Sequence, residues 1–596
     1  MNSKILNITL LLVTGFLFQS RGYSQDMFVE ADTFVYASNQ YVYVKNDLEL
    51  SATTSTFYLR NGGQLLQGTT GSGVNKGVGS LSVFQEGTVN NYQFNYWCSP
   101  VGNVASSTSV NNPFGITQLG QPTTTTTTTP AIASVTYDGI ASPLTISPYW
   151  INKFIVNLSS YSDWVQVGSS SSINAGEGFT MKGSSGTDAS FTVNGIQNNP
   201  GGKQRYDFRG KPNDGTIEIP VKPGEWTLTG NPYPSAINLS AFLIAELNCT
   251  GIAYFWEQDK TVDSHYLADY KGGYGTYSPG SLPNEVGEYI RAPFYSYDGA
   301  GNPITTVQTG TGGDYQRKYA PIGQGFMIEG YATATGNVQM KNSYREFVKE
   351  GALNNSQFEK TRNIKTASTA ITRPKIRFNT LLDNGPVSQM ILLFDPLSTD
   401  GVDRAMDALS PNDGPANNYF VINGNEYIIE VMPFDIDKKI PVGFRNYAQA
   451  NYKITVNEML NIPEVTNVYL HDKTTDLYHD IKNSVYDLTL PAGTYNARYE
   501  ITFKNGTLGV ADIESQRFLV QQDNVNKNLI INNPSQIELA NCSLYDVVGR
   551  LVFSKDKTGT DTSYTFSTAN LSNGIYIVKL TTNDKTENGQ KIIIKN

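Results

Sequence analysis

Tyr41-Val42-Tyr43-Val44-Lys45 alternates aromatic rings with β-branched side chains, so it reads as a strand with one face turned to a core. The same period of two returns in Thr56-Phe57-Tyr58-Leu59-Arg60, Tyr427-Ile428-Ile429-Glu430-Val431 and Ile575-Tyr576-Ile577-Val578-Lys579-Leu580. Gly, Asn, Asp or Pro bounds these runs, as turns require. The best amphipathic helix, around Leu239–Leu247, is only about two turns long. At 596 residues the chain exceeds a single core of roughly 250–300 residues, so several domains are expected. The fold class is all-β and multidomain, with tandem β modules followed by β-sandwiches.

Charged residues make up 16% of the chain, and the net charge of −9 leaves no basic surface to neutralise a phosphate backbone. That excludes nucleic acid as a partner. Three histidines offer little for imidazole catalysis or zinc. Cys98, Cys249 and Cys542 are far apart and read as small buried hydrophobes rather than a disulfide framework.

Lys4, the apolar run Ile5–Phe18 and the small residues around Gly22-Tyr23-Ser24 give a secretory signal peptide over 1–24. The run is too short for a membrane helix of about 20 residues. Residues 25–95 form an N-terminal β region. Residues 96–352 hold tandem β modules, one about 96–200 and the other about 226–350. Tyr96-Trp97-Cys98-Ser99-Pro100 finds a counterpart around Trp226–Pro234, and Tyr149–Phe154 finds one in Ala253–Gln258, with Trp256 taking the place of Trp150. Gly176-Glu177-Gly178-Phe179 and Gly323-Gln324-Gly325-Phe326 match most closely. No helix opens after these glycines, so they do not cradle a nucleotide phosphate. The first module contains a Thr-rich loop, 104–133, with seven consecutive threonines, Thr123–Thr129. A polar linker, 353–372, precedes a β-sandwich over 373–505. Within that sandwich Val468–Asp472 and Leu477–Asp480 read as a hairpin.

The last segment contains Ser543-Leu544-Tyr545-Asp546-Val547-Val548-Gly549-Arg550-Leu551-Val552, then Leu571-Ser572-Asn573-Gly574-Ile575-Tyr576, and closes on Lys591-Ile592-Ile593-Ile594-Lys595. Residues 516–596 resemble the C-terminal sorting domain of cargo exported by the type IX secretion system of Bacteroidetes, closest to type A. The resemblance places the sorting signal at Tyr545, Asp546, Gly549, Arg550, Gly574, Tyr576 and Lys591. The family's usual proline-asparagine-proline opening is replaced by Phe518-Leu519-Val520-Gln521-Gln522. The resemblance implies passage through the periplasm, an outer-membrane translocon as partner, and release or attachment to surface lipopolysaccharide. Upstream, the chain resembles uncharacterised secreted flavobacterial β proteins, which implies a location and no chemistry.

Trp256, Glu257 and Asp259 are the candidate ligand-binding residues. They lie in a polar-aromatic stretch that continues through His265, Tyr266, Asp269, Tyr270 and Tyr274. Carboxylates beside aromatic rings suit a sugar, although i, i+2 carboxylates on a strand do not by themselves share a cleft. Asp400, Asp403 and Asp407, around Gly401, offer hard oxygens to Ca²⁺ but lack the spacing and bidentate Glu of an EF-hand. No catalytic residue is assigned, and no cofactor is expected unless Ca²⁺ binds there. The expected role is that of a secreted or cell-surface protein with a surface, adhesive or matrix role. The alternative is a secreted glycan-binding or polysaccharide-active protein.

Overall fold

Ser38 lies opposite Arg60 in a parallel pair, and the residues that follow them, Asn39 and Asn61, both take the left-handed backbone with φ of 62° and 55°. Asparagine tolerates that conformation better than other side-chain-bearing residues, so the two turns stack. The strands concerned are β1 (Met27–Val29), β2 (Phe34–Ser38), β3 (Tyr41–Val44), β4 (Leu48–Leu50), β5 (Thr56–Arg60), β6 (Gln64–Gln67), β7 (Lys76–Gly77) and β8 (Ser80–Glu86). β1 pairs in parallel with β4 and β4 with β7; β2 with β5 and β5 with β8; β3 with β6. The N-terminal region is thus a short three-sided parallel β-solenoid. Val44, Leu48, Phe57, Leu59, Leu65 and Leu81 fill it, while Tyr41 and Tyr43 face outward.

This computed structural model describes residues 25–104, 110–154, 164–170, 172–193, 195–298, 308–334, 336–358, 373–383, 385–411, 414, 416–505, 518–546, 550–583 and 587–595. The expected signal peptide and Gly549 lie outside them, as does most of the expected linker. The chain divides into two compact units, Met1–Ile501 and Thr502–Asn596.

In the first unit the next strands are β9 (Phe94–Cys98), β10 (Leu119–Pro122), β11 (Thr128–Pro130), β12 (Asn152–Phe154), β13 (Trp164–Gln166), β14 (Gly178–Lys182) and β15 (Arg205–Pro212). β15 runs antiparallel to β8, then β10 and β11 follow, extending one solenoid face into a seven-stranded sheet. The threonine run is therefore loop only at its tip, where the Thr123 amide donates to the Thr127 carbonyl. Two arginines secure it: Arg60 Nε donates to the Thr125 carbonyl at 2.6 Å and Arg209 Nη2 to the Thr126 carbonyl at 3.2 Å. Thr128 Oγ1 donates to Asp207 at 2.6 Å. These polar partners let a segment with few apolar side chains join a sheet.

β9, β14, β12 and β13 form a separate sheet in that order. β16 (Trp226–Gly230), α1 (Leu239–Ala245), β17 (Cys249–Gln258), β18 (Lys271–Ser278) and β19 (Gly325–Gly330) follow. Their strands run β16, β19, β17, β18 within a seven-stranded sheet. Phe179 lies opposite Trp97 and Phe326 opposite Thr229, and both phenylalanines are fully buried. Asn238 starts α1 by accepting the Ala241 amide at 2.9 Å. Register corrects one expected correspondence. Asn152 pairs with Thr180 and Tyr254 with Met327, so Trp256 stands where Phe154 does, not where Trp150 does.

Beyond residue 373 come β20 (Lys375–Leu382), β21 (Val387–Phe394), β22 (Asn425–Met432), β23 (Lys439–Asn446) and β24 (Ala450–Leu460). They belong to one twelve-stranded sheet. Phe444 of β23 meets Tyr452 of β24 at 4.9 Å between ring centres, although their strands are not neighbours in the sheet order. The sheet thus curls over a shared core of Phe378, Phe420, Phe444 and Tyr499. The hairpin joining Tyr469–Asp472 to Leu477–Asp480 forms at the expected place.

The second unit has two sheets around one core. β25 (Leu519–Asp523), β26 (Asn528–Asn532) and β29 (Ser563–Ser567) make one; β27 (Leu539–Asp546), β28 (Leu551–Gly559), β30 (Gly574–Thr582) and β31 (Glu587–Ile594) make the other. Leu529, Ile531, Leu544, Val578, Leu580 and Ile594 are buried between them. No helix among the described residues is long and apolar enough to cross a membrane.

Candidate functional site

β14 is buried on both faces, and its last residue is a lysine. Lys182 is only 4% exposed. A buried ammonium needs partners, and aromatic faces supply them. Lys182 Nζ stands 3.7 Å from the Trp150 ring centre, 4.9 Å from that of Phe94 and 5.0 Å from that of Tyr270. It also donates to the Tyr270 hydroxyl and meets His265 Nδ1 at 3.0 Å. His265 Nε2 lies 2.9 Å from Asp138 Oδ1. Donation from Nε2 to the carboxylate leaves Nδ1 as the acceptor for Lys182. Burial pulls the Lys182 ammonium down to about 7, with the Asp138 charge opposing the shift.

Each member comes from a different place in the chain. β9 supplies Phe94, and the short turn Pro148–Trp150 supplies Trp150. The loop before β18 supplies His265 and Tyr270, while the turn before Gly139 supplies Asp138. The outer side of the cluster meets solvent. Trp150 stacks on His265 at 5.2 Å and lies 5.9 Å from Tyr137, which in turn lies 4.8 Å from Tyr149. Sequence reasoning singled out His265 and Tyr270 but missed Lys182 and Asp138. The available signal was a lysine closing the Gly-Phe-Thr-Met run, a strand otherwise without charge.

Trp256, Glu257 and Asp259 are not brought together. Trp256 is half-buried and nearly parallel to Tyr96, with ring centres 6.4 Å apart, and its Nε1 donates to Gln258 at 3.1 Å. Glu257 is buried and accepts from the Tyr289 hydroxyl at 2.6 Å and the Gly313 amide at 2.8 Å. Asp259 accepts from the amide and hydroxyl of Thr261, holding a turn. Alternation along β17 separates the first two residues onto opposite faces.

The acidic string is likewise dispersed on internal partners. Asp400 pairs with Lys438, Asp403 accepts the Thr399 amide at 2.5 Å, and Asp407 accepts the Asp403 and Val431 amides at 2.6 and 2.7 Å. Among the described residues no three His, Cys, Asp or Glu side chains form a metal-binding group. Burial pushes the Asp407 carboxyl up to about 7. It pushes Glu430 up to about 8, and the nearby Asp407 charge adds to that shift. Glu430 Oε2 has no hydrogen-bond partner among the described residues.

In the second unit, Asp546 of the Tyr-Asp-x-x-Gly-Arg pattern is tied to Arg550. Its carboxylate accepts the Arg550 amide at 2.9 Å and Arg550 Nε at 3.0 Å. Tyr545 lies opposite Leu551 and Ile577. Tyr576 is buried, with its hydroxyl donating to the Ser572 carbonyl at 2.9 Å. Lys591 is exposed on β31. At Gly574 a Cβ would meet nothing closer than the Tyr576 ring at 3.7 Å, so no close backbone approach requires glycine there.

Residues 13–503 match a family model described as a domain of unknown function (DUF8693), and residues 524–595 match one described as a secretion system C-terminal sorting domain. No curated protein matches the chain. Among solved structures, an immunoglobulin-like β-sandwich protein of the DUF3244 family from Bacteroides vulgatus is 18% identical, over 13% of this chain and 85% of its own, with a TM-score of 0.12. The CupB2 chaperone of Pseudomonas aeruginosa is 9% identical, over 38% of this chain and 90% of its own, with a TM-score of 0.11. The BSP domain of a biofilm-associated protein is 11% identical, over 64% and 66%, with a TM-score of 0.12. At such TM-scores none of the three informs the architecture.

Proposed function

Because the chain belongs to the family described as a domain of unknown function (DUF8693) and ends in the sorting domain of type IX secretion cargo, we propose that it acts outside the cell as an adhesive or matrix protein. The sorting domain is the observation that carries the reading, since it implies export to the cell surface or the medium. The internal partners of Glu257 and of Lys182 support contact rather than catalysis, because both groups are occupied by the fold. The shared strand order around Phe179 and Phe326 supports a duplicated module, which multiplies the surface available for contact. The translocon is the export partner, and surface glycan or lipopolysaccharide is the partner after export. The test is a deletion of residues 25–505 in a host with type IX machinery, leaving signal peptide and sorting domain joined. Loss of attachment to a surface or to neighbouring cells supports the role, and unchanged attachment overturns it.

A further inference from the structure

Tyr137 and Tyr149 are 57% and 47% exposed and lie side by side at the surface. Several hydrogen bonds fix them. Trp150 Nε1 donates to the Tyr137 carbonyl at 2.6 Å, Ser147 Oγ to the Thr136 carbonyl at 2.8 Å, and Ser134 Oγ to the Asp138 carbonyl at 2.8 Å. The rings are 4.8 Å apart and tilted by 45°, and Trp150 lies behind Tyr137 with ring centres 5.9 Å apart. Asp138 stands beside them with its side chain 44% exposed. Its Oδ1 accepts from His265 and Asn91, while Oδ2 carries no hydrogen bond among the described residues.

A pyranose has one apolar C–H face, which stacks on an aromatic ring, and a rim of hydroxyls, which a carboxylate oxygen accepts. A carboxylate as the polar group, on a chain of net charge −9, repels an acidic polymer. We infer that Tyr137 and Tyr149 form the stacking surface, and Asp138 Oδ2 the hydroxyl acceptor, of a binding site for a neutral polysaccharide. The inference rests on the reading that the exported chain contacts extracellular material. Rings fixed before binding lose little freedom on contact, so a shallow site suffices.

The test is affinity electrophoresis of the full exported chain through gels holding a neutral β-1,3-glucan, a neutral glucomannan or acidic alginate. Retardation is expected in at least one neutral gel and not in alginate. Tyr137→Ala and Tyr149→Ala should each weaken it by about threefold to tenfold, and Asp138→Asn, run at a temperature where circular dichroism shows the variant folded, should weaken it as well. No retardation in either neutral gel overturns the inference, as does retardation in alginate alone. A Tyr137→Ala/Tyr149→Ala chain that migrates like the parent also overturns it, as does loss seen only with Phe34→Ser/Tyr36→Ser on the solenoid's exposed aromatic face. Cell attachment separates this from the broader reading. A chain that is retarded by glucan while its deletion leaves attachment unchanged supports the site and overturns the adhesive role.

Discussion

Gly325 lies against Trp97 so closely that a Cβ on it would stand 2.7 Å from the Trp97 backbone nitrogen. Gly178, at the matching place in its own Gly-x-Gly-Phe run, approaches the first strand of the other module in the same way. A Cβ there would meet the Thr229 carbonyl oxygen and Leu228 Cγ, both at 2.7 Å. Backbone atoms on the far side cannot rotate away, so a methyl group must push two sheets apart. Gly178→Ala and Gly325→Ala should each destabilise the first unit by about 1–3 kcal/mol, the usual cost of overpacking. Gly574→Ala, with only a ring at 3.7 Å, should stay within roughly 0.5 kcal/mol. Urea denaturation of the three variants checks the contrast, and equal effects at all three positions would contradict it.

Lys182 predicts a pH dependence whose sign follows from burial. Its folded value of about 7 lies below the ordinary 10.5, so the unfolded chain holds the extra proton between those pH values. Stability from this group is present above pH 10.5 and is lost as pH falls through about 7. Lys182→Met removes the charge and keeps most of the volume. It should gain most on the parent near pH 6 and lose that advantage by pH 10. A constant difference across the range would mean that Lys182 is not desolvated.

Glu430 acts in the opposite direction. Its folded value of about 8 lies above the ordinary 4.5, so the folded chain retains the proton and stability falls as pH rises through about 8. Glu430→Gln should therefore be more stable than the parent at pH 8.5, by on the order of 3 kcal/mol, and close to it at pH 4. Thermal melts at the two pH values decide the matter; a variant less stable than the parent at pH 8.5 would refute the burial of a protonated carboxyl.

Calcium should not raise the melting temperature. Asp400, Asp403 and Asp407 already hold Lys438, the Thr399 amide and two backbone amides, and each would have to exchange a partner for the ion. Melts with and without millimolar Ca²⁺ test this, because an ion that binds only the folded chain stabilises it by mass action. A rise that Asp403→Ala abolishes would show that the carboxylates reorganise around the metal.

Strand character was legible wherever alternation met a one-sided core. In β30 the expected faces are observed: Tyr576 and Val578 are buried, and Ile575 and Ile577 are exposed. The solenoid was not legible, because parallel rungs pair residues distant in sequence and the short strands alone do not disclose the coil. Its trace in the sequence was the recurrence of Asn39 and Asn61 at stacked turns. The Lys182 cluster was legible only in part. His265 and Tyr270 stood out locally, but Asp138 reaches His265 across 127 positions and Lys182 reaches it across 83. The equation of Trp256 with Trp150 failed because aromatic identity was matched without the strand register that places Phe154 there.

Export gives the last prediction, through the folded state of the second unit. The sorting domain must present a structure to the translocon, so damage to its core should block export while changes on its surface should not. Tyr576 is buried in β30, and its hydroxyl holds the Ser572 carbonyl. Tyr576→Asp would place an uncompensated carboxylate among Leu544, Val578 and Ile592, at a cost of several kcal/mol. Ile577→Thr, on the exposed face of the same strand, changes little buried area. In a host with type IX machinery, a chain truncated after Gly506 should cross the inner membrane and accumulate in the periplasm. Tyr576→Asp should accumulate there too, whereas Ile577→Thr should leave the cell like the parent. Residues 507–596 fused to an unrelated periplasmic reporter should carry it to the surface or the medium. Fractionation followed by immunoblotting reads all four proteins. If the truncated chain reaches the outside as efficiently as the full one, export does not depend on this domain.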